Sequence, residues 1–438
     1  MKRALLAILA ACVSAALLAQ SSSRFHAALA PLDRLYPDLE KLYMDLHQNP
    51  ELSLHEERTS AKLADNLRKL GYEVTDHVGG FGVVALLRNG AGPTVLVRAD
   101  MDALPVEERT GLPYASKVKT KDDAGATVSV MHACGHDIHV TSLVGAATLL
   151  AQSKDRWRGT LLLVGQPAEE GPGGAGRMIK DGLFTRFGKP DYAVAFHDSA
   201  SLRAGVIGVV PGYALANADS VDITIYGSGG HGSAPHTTVD PVVIAARTVL
   251  ALQTIVSREN DPQDPAVVTV GSIHGGSKNN IIPDEVRLQL TVRSYKKEVR
   301  EHLLSAIARI AKAEAAASNA PKEPTVAVHE GYSATYNDPA LAKRLEAAFA
   351  SEFGPDRVVE TAPIMGAEDF GDFGRVAGVP SVIFWVGGVP SGKFDAVKGD
   401  VKKLPSLHSS LWAPDREPTL KAGAAALTVA ALELLGKP

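Results

Sequence analysis

Nine consecutive residues, Met131-His132-Ala133-Cys134-Gly135-His136-Asp137-Ile138-His139, gather one thiol, three imidazoles and a carboxylate around a glycine. The chain has two cysteines, and the other, Cys12, lies in an apolar N-terminal run. Once that run is removed, Cys134 has no disulfide partner in the chain. A lone thiol two residues from an imidazole is a metal ligand or a nucleophile. Gly135 relaxes the backbone between Cys134 and His136, so both side chains can turn to one centre. Thiolate and imidazole together suit zinc-like, borderline ions. His132 and His139 read as supporting residues of the same segment.

A second segment, Gln166-Pro167-Ala168-Glu169-Glu170, carries adjacent carboxylates beyond an apolar run. Neighbouring side chains on an extended chain point opposite ways. One glutamate can therefore bind metal while the other faces a substrate water, where a carboxylate is the usual general base. His197-Asp198 follows another apolar run, Tyr192 to Phe196. The glycine-rich stretch Gly227 to His236 has no Gly-Lys-Ser/Thr after it, which argues against a nucleotide cradle. His231 in that stretch reads as a donor to an oxyanion, and His236 as loop structure.

The elements that must position these residues alternate. Leu39 to His47 and Glu56 to Leu70 have helical spacing. Thr94 to Val97, Thr160 to Val164 and Tyr192 to Phe196 are short apolar strands, and His139 to Gln152 is a helix. This pattern predicts a largely parallel sheet covered by helices on both faces. The acidic and histidine segments then lie beyond the carboxyl ends of strands, where open α/β sheets bind ligands. From residue 216 the style changes: strands at Val221 to Tyr226, Val267 to Ile273 and Val286 to Tyr295 accompany helices at Val242 to Val256 and Glu298 to Ala317. Such a unit is α+β with one solvated sheet face. After residue 330 the α/β style returns through Pro339 to Phe353, Val382 to Val386 and Leu420 to Leu435. The expected organisation is a leader (residues 1–19), an α/β catalytic domain in two parts (20–215 and 330–438), and an inserted α+β lid or dimerisation domain (216–329).

The 438 residues exceed one ordinary core. With 45 basic and 49 acidic side chains and no basic run, nucleic acid is excluded as a partner. Met1-Lys2-Arg3 followed by the apolar Ala4 to Ala19 reads as a cleaved secretory signal, so the mature chain is expected outside the cytoplasm, periplasmic or extracellular, with no membrane span.

Taken together, these motifs closely resemble the M20 metallopeptidase family and, within it, the amidohydrolase branch of aminoacylase-like, hippurate hydrolase-like and auxin-conjugate hydrolase-like enzymes. The matching segments are Arg98-Ala99-Asp100-Met101-Asp102-Ala103-Leu104-Pro105, Met131 to His139, Gln166 to Glu170, Gly229 to His236, Asn280-Ile281-Ile282-Pro283-Asp284, Met365 to Phe370, and His408. The resemblance runs from about residue 35 to the C-terminus. It implies a two-metal centre with Cys134, His136, Glu170, His197 and His408 as ligands, and Zn, Mn, Ni or Co as the divalent ions. It implies Glu169 as general base, His231 as the donor to the tetrahedral intermediate, and Asn280 and Arg293 as substrate contacts. The implied reaction is hydrolysis of the amide of an N-acyl amino acid. A dipeptidase or carboxypeptidase acting on short peptides, or a non-catalytic binding protein, could use the same scaffold. The resemblance also implies a homodimer through the insert. Where relatives carry an apolar residue after the His197 position, this chain has Asp198, which predicts a more acidic pocket.

Overall fold

The computed structural model describes residues 25–171 and 173–436. The expected leader lies outside the described residues. The chain divides into two compact units. One combines the described residues of Met1–Gly212 with Tyr336–Ala362 and the described residues of Asp369–Pro438; the other comprises Tyr213–Thr335 and Pro363–Glu368.

The first unit is built on an eight-stranded sheet. Its four central strands, in the order Gly159–Gln166, Thr94–Asp100, Tyr192–Arg203 and Ser381–Val389, run parallel. Gly82–Asn89 and Glu73–Val78 extend one side antiparallel, and Ile207–Val209 with Val358–Glu360 completes the other. Val95, Leu96 and Val97 are all buried, as expected of strands covered on both faces. One face presents Val95, Val97, Leu161, Leu163, Phe196 and Phe384 to helices His136–Gln152 and Arg416–Leu435. These helices approach closely because small residues meet: a Cβ on Gly145 would lie 2.8 Å from the Ala424 Cβ, and one on Gly423 would lie 2.5 Å from the Ser142 hydroxyl. Helices Gly174–Lys180 and Gly371–Ala377 pack against strands Gly159–Gln166 and Ser381–Val389.

Two boundaries differ from the sequence reading for a shared reason. Strand Thr94–Asp100 continues past Val97 through Arg98 and Asp100, and strand Tyr192–Arg203 continues past Phe196 through His197 and Asp198. Local polarity marks an end there, but the parallel ladders to Gly159–Gln166 and Ser381–Val389 carry the strands onward. Helix His136–Gln152 starts three residues earlier than its apolar spacing predicts, because left-handed Gly135 (φ 77°) turns the chain directly into it.

The second unit is a four-stranded antiparallel sheet in the order Ala266–Gly275, Glu285–Ser294, Asn217–Tyr226 and Thr325–Glu330. Strand Asn217–Tyr226 alternates buried residues with half-buried or exposed ones. Val221, Ile223 and Ile225 join Leu288, Leu290 and Val292 under helices Pro241–Thr254 and Lys297–Ala317. Period-two burial of this kind leaves the other sheet face solvated.

Candidate metal centre

The carboxyl ends of the parallel strands of the first unit carry the chemistry. Asp102 follows strand Thr94–Asp100, Glu169 and Glu170 follow strand Gly159–Gln166, and His197 lies within strand Tyr192–Arg203. Cys134 ends the loop before helix His136–Gln152. His408 comes from a loop near the C-terminus, in left-handed conformation (φ 66°), with its N–H donating to the Ala133 carbonyl at 2.8 Å. That backbone bond ties the most distant residue of the set to the Cys134 segment.

The side chains converge. Cys134 Sγ lies 3.4 Å from His197 Nε2 and 3.2 Å from His408 Nε2. His408 Nε2 is 3.0 Å from Glu170 Oε1, and His136 Nε2 is 3.9 Å from Glu169 Oε2. Two triads share the thiol: Cys134, His136 and His197 form one, and Cys134, Glu170 and His408 the other, with the ligand atoms of each within 4.8 Å of one another. Cys134 Sγ would thus be available as a ligand to a cation held by either triad.

The ring orientations test whether cations fit. His136 Nδ1 lies 2.8 Å from the Asp102 carbonyl, and His197 Nδ1 lies 2.8 Å from the Asp198 carbonyl. Carbonyl oxygens only accept, so both rings keep a proton on Nδ1 and present Nε2 inward, where a cation would take the place of a second proton. This is how metal-ligating histidines are held. His136 Nε2 is buried with no hydrogen-bond partner, a state that costs about 1–3 kcal/mol unless something binds there. The sulfur, nitrogen and oxygen donors suit borderline divalent ions. The centre therefore fits two divalent cations.

Electrostatics agree. Burial, then Glu170 and Glu169, push the Cys134 thiol well above its usual range. Burial would lower the His136 pKa, but Asp100 and Asp102 outweigh it and raise it to about 9. A cluster that holds protons this tightly has an excess of negative charge, and divalent cations reverse that logic by taking the protons' place.

Behind these side chains lies a buried ionic network. The Arg98 guanidinium is fully buried and donates to Gln166 Oε1 at 2.8 Å and Asp100 Oδ2 at 2.7 Å, with Asp369 Oδ1 at 3.4 Å. Asp100 in turn accepts from His139 Nδ1, and His139 Nε2 accepts the Asp198 N–H at 2.9 Å. The His139 ring packs edge-on against His197, with centroids 4.6 Å apart. His139, held between Asp100 and Asp198, thus braces His197. Asp198 adds negative charge here, since it is among the carboxylates that raise the Cys134 thiol, but it does so from a buried position. It has no exposed surface, and a Cβ on Gly135 would meet its carboxylate at 2.5 Å. Its side chain stands behind the rings of His139 and His197, and Gly135 is what leaves room for it. Sequence reasoning missed Arg98, Gln166 and Asp369 as a set, because only the fold brings them together; the sole local signal is charge inside an apolar strand.

His231, Asn280 and Arg293 belong to the second unit. His231 lies in a short antiparallel pairing with Ile281, and the Asn280 carbonyl accepts the Gly232 N–H at 2.9 Å. His231 Nδ1 accepts the Ser233 N–H at 3.1 Å, which leaves the ring proton on Nε2 as a donor. Arg293 donates to the Met365 carbonyl at 3.0 Å. It sits at the far end of strand Glu285–Ser294 from the Ile281 pairing, roughly 25 Å away by strand rise.

Comparison with known proteins agrees with this geometry. Residues 96–403 match the model of peptidase family M20/M25/M40. Thermostable carboxypeptidase 2 of Saccharolobus solfataricus is 40% identical over 90% of this chain and 94% of its own. Hippurate hydrolase of Campylobacter jejuni is 39% identical over 77% of this chain and 85% of its own. The crystal structure of a dinuclear metal-binding peptidase of the M20 family from Bacillus subtilis superposes with a TM-score of 0.73, at 28% identity, covering 92% of this chain and 99% of that one. A thiol shared by two ligand triads, beside a paired glutamate, on a scaffold shared with these proteins leads to one conclusion: the chain belongs to peptidase family M20/M25/M40, in its amidohydrolase branch, and is a metal-dependent enzyme that hydrolyses amide bonds.

Proposed function

We propose that the enzyme hydrolyses the amide of N-acyl amino acids, with Cys134, His136, Glu170, His197 and His408 as metal ligands and Glu169 as general base. The observation that carries this reading is the convergence of the two triads on the Cys134 sulfur with Glu169 next to His136. Two divalent ions, when bound, polarise the scissile carbonyl and acidify a water. Glu169 takes a proton from the attacking water and delivers it to the leaving nitrogen. His231, with its proton on Nε2, donates to the oxyanion of the tetrahedral intermediate. Arg293 offers a guanidinium fork to the substrate carboxylate, and Asn280 a further polar contact.

The substrate class follows from what the named relatives have in common. A hippurate hydrolase and a carboxypeptidase both cleave an amide whose nitrogen belongs to an amino acid with a free carboxylate. The carboxypeptidase relative keeps a second reading open, in which the acyl group is itself a peptide. Steady-state hydrolysis of N-acetyl, N-benzoyl and dipeptide substrates by the enzyme reconstituted with Zn, Mn, Ni or Co separates the two. Activity confined to dipeptides would replace the deacylase reading with the peptidase one, and no hydrolysis in any arm would remove both.

The insert supports a homodimer. Val243 and Leu250 are exposed on one stripe of helix Pro241–Thr254, and Ile273 is exposed on the edge strand Ala266–Gly275. An unpaired edge strand beside an apolar helix face is a template for a second copy. The distance between His231 and Arg293 within one insert also exceeds the length of a small amide, so a substrate touching both would draw them from two copies. The basic and apolar N-terminal segment supports export to the periplasm or the medium. Cell fractionation of the full-length chain tests it.

A further inference from the structure

Among the described residues, six other than glycine adopt a left-handed backbone, and two of them, Leu54 (φ 65°) and Ala168 (φ 51°), share an anchor. The N–H of each donates to the same oxygen, Oε1 of Glu56, at 3.0 and 2.8 Å. A side chain with a Cβ disfavours this region, and such strain persists only where the surroundings over-determine it. Glu56 is fully buried at the start of helix Glu57–Lys69, yet its side chain does not cap that helix. Glu51 does, accepting the N–H groups of Arg58 and Thr59 at 3.0 and 2.8 Å. The Glu56 carboxylate is thereby left to reach the loop after strand Gly159–Gln166.

That loop carries the paired glutamates. The N–H groups of Glu169 and Glu170 donate to Oδ1 and Oδ2 of Asp102 at 3.0 and 2.9 Å, and the Ser53 hydroxyl donates to Asp102 Oδ2 at 2.6 Å. Three consecutive backbone donors, from Ala168, Glu169 and Glu170, thus end on two buried carboxylates. Glu56 is a costly anchor: its Oε1 serves two backbone donors, but its Oε2 is buried without a hydrogen-bond partner, and a buried carboxylate left half-satisfied is expensive. Burial, then the nearby Asp102, push its pKa up to about 7.

We propose that Glu56 is a positioning residue for catalysis: it holds Ala168 in its left-handed turn and so aims Glu169 at the attacking water. The proposal rests on Glu169 being the general base. Glu56→Gln keeps an acceptor oxygen at the position, Glu56→Leu fills the space without one, and Ala168→Gly accepts the left-handed region freely. The test compares these variants as metal-loaded full-length enzyme on an N-acyl amino acid that the wild type hydrolyses, with metal content measured alongside. Glu56→Leu should lower kcat roughly 10–100-fold, the scale of a small misplacement of a reacting group. KM and metal content should change less than about twofold, because only the transition state is affected. Glu56→Gln should stay within about threefold of wild-type kcat, and adding Ala168→Gly to Glu56→Leu should recover a large part of the loss. If Glu56→Leu does not fold, Glu56→Ala carries the same comparison. A full kcat in the variant without an acceptor, a loss that tracks metal content, or a double variant no better than the single one would overturn the proposal. Glu169→Gln run in parallel separates the two claims. Turnover surviving there overturns the base assignment, whereas its loss beside an unaffected Glu56→Leu overturns only the positioning role.

Discussion

Cys134 and His408 are 274 residues apart in sequence, yet their Sγ and Nε2 atoms lie 3.2 Å apart. The contact is supported by the backbone bond from the His408 N–H to the Ala133 carbonyl, which docks the loop before the last helix onto the Cys134 segment. Because Cys134 belongs to both triads and His408 to one, the two residues should respond differently to deletion.

Cys134→Ala should remove most of both metal ions, and His408→Ala should leave about one of two bound per chain, since structural ligand loss weakens only the site that used it. Elemental analysis after dialysis reads the stoichiometry directly. Equal loss in the two variants would contradict the shared-thiol arrangement.

Glu169→Gln keeps the shape of the side chain but cannot take a proton. Its kcat should fall roughly 10²–10⁴-fold, the usual contribution of a general base, with metal content unchanged. A variant that turns over at the wild-type rate would take Glu169 out of the mechanism.

Arg98→Met strips the guanidinium from a place where Asp100 and Asp369 depend on it. Removing one partner of a buried ionic network costs about 3–5 kcal/mol because the remaining charges stay buried. Urea denaturation of the metal-free protein measures this. A change below about 1 kcal/mol would place the network at the level of surface pairs.

His47 supplies a pH dependence. Its buried ring lies between two carboxylates, with Nδ1 at 2.6 Å from Asp137 and Nε2 at 3.1 Å from Glu108. Burial would depress its pKa, but the two carboxylates outweigh burial and raise it to about 9, from 6.5. A folded-state pKa above the unfolded one gives stability that is complete below pH 6.5 and disappears as pH rises through 9. The full term is about 3 kcal/mol. His47→Gln should be less stable than wild type at pH 6, and the gap should narrow by pH 10. A gap that does not change with pH would mean that the ring is neutral.

Leu250 is 72% exposed on the outer face of helix Pro241–Thr254. Leu250→Asp should shift sedimentation from dimer toward monomer and lower turnover in step. A wild-type chain that is monomeric and fully active at micromolar concentration would remove the homodimer from the account.

Much of the centre was legible in the residues alone, because its parts are local. Cys134 and His136 are two apart around a glycine, and Glu169 and Glu170 are adjacent, so spacing by itself marks out the candidate donor residues, and the family resemblance supplies their roles. Periodicity likewise separates the apolar runs of a sheet buried on both faces from the alternating strands of the insert. What spacing could not supply was arrival and direction. His408 reaches the thiol through a single backbone bond to Ala133. Asp198 turns behind the histidine rings because Gly135 leaves a space there. Arg98 and Asp100 remain inside a strand that local polarity would have ended, because each neutralises the other in the fold. Glu56 resembles any acid at a helix start until the structure brings Ala168 onto it. Local chemistry depends on neighbours along the chain and can be read from them. A buried charge is decided by partners that only folding assembles, since its cost in a dry interior is met by whichever groups the tertiary contacts bring within reach.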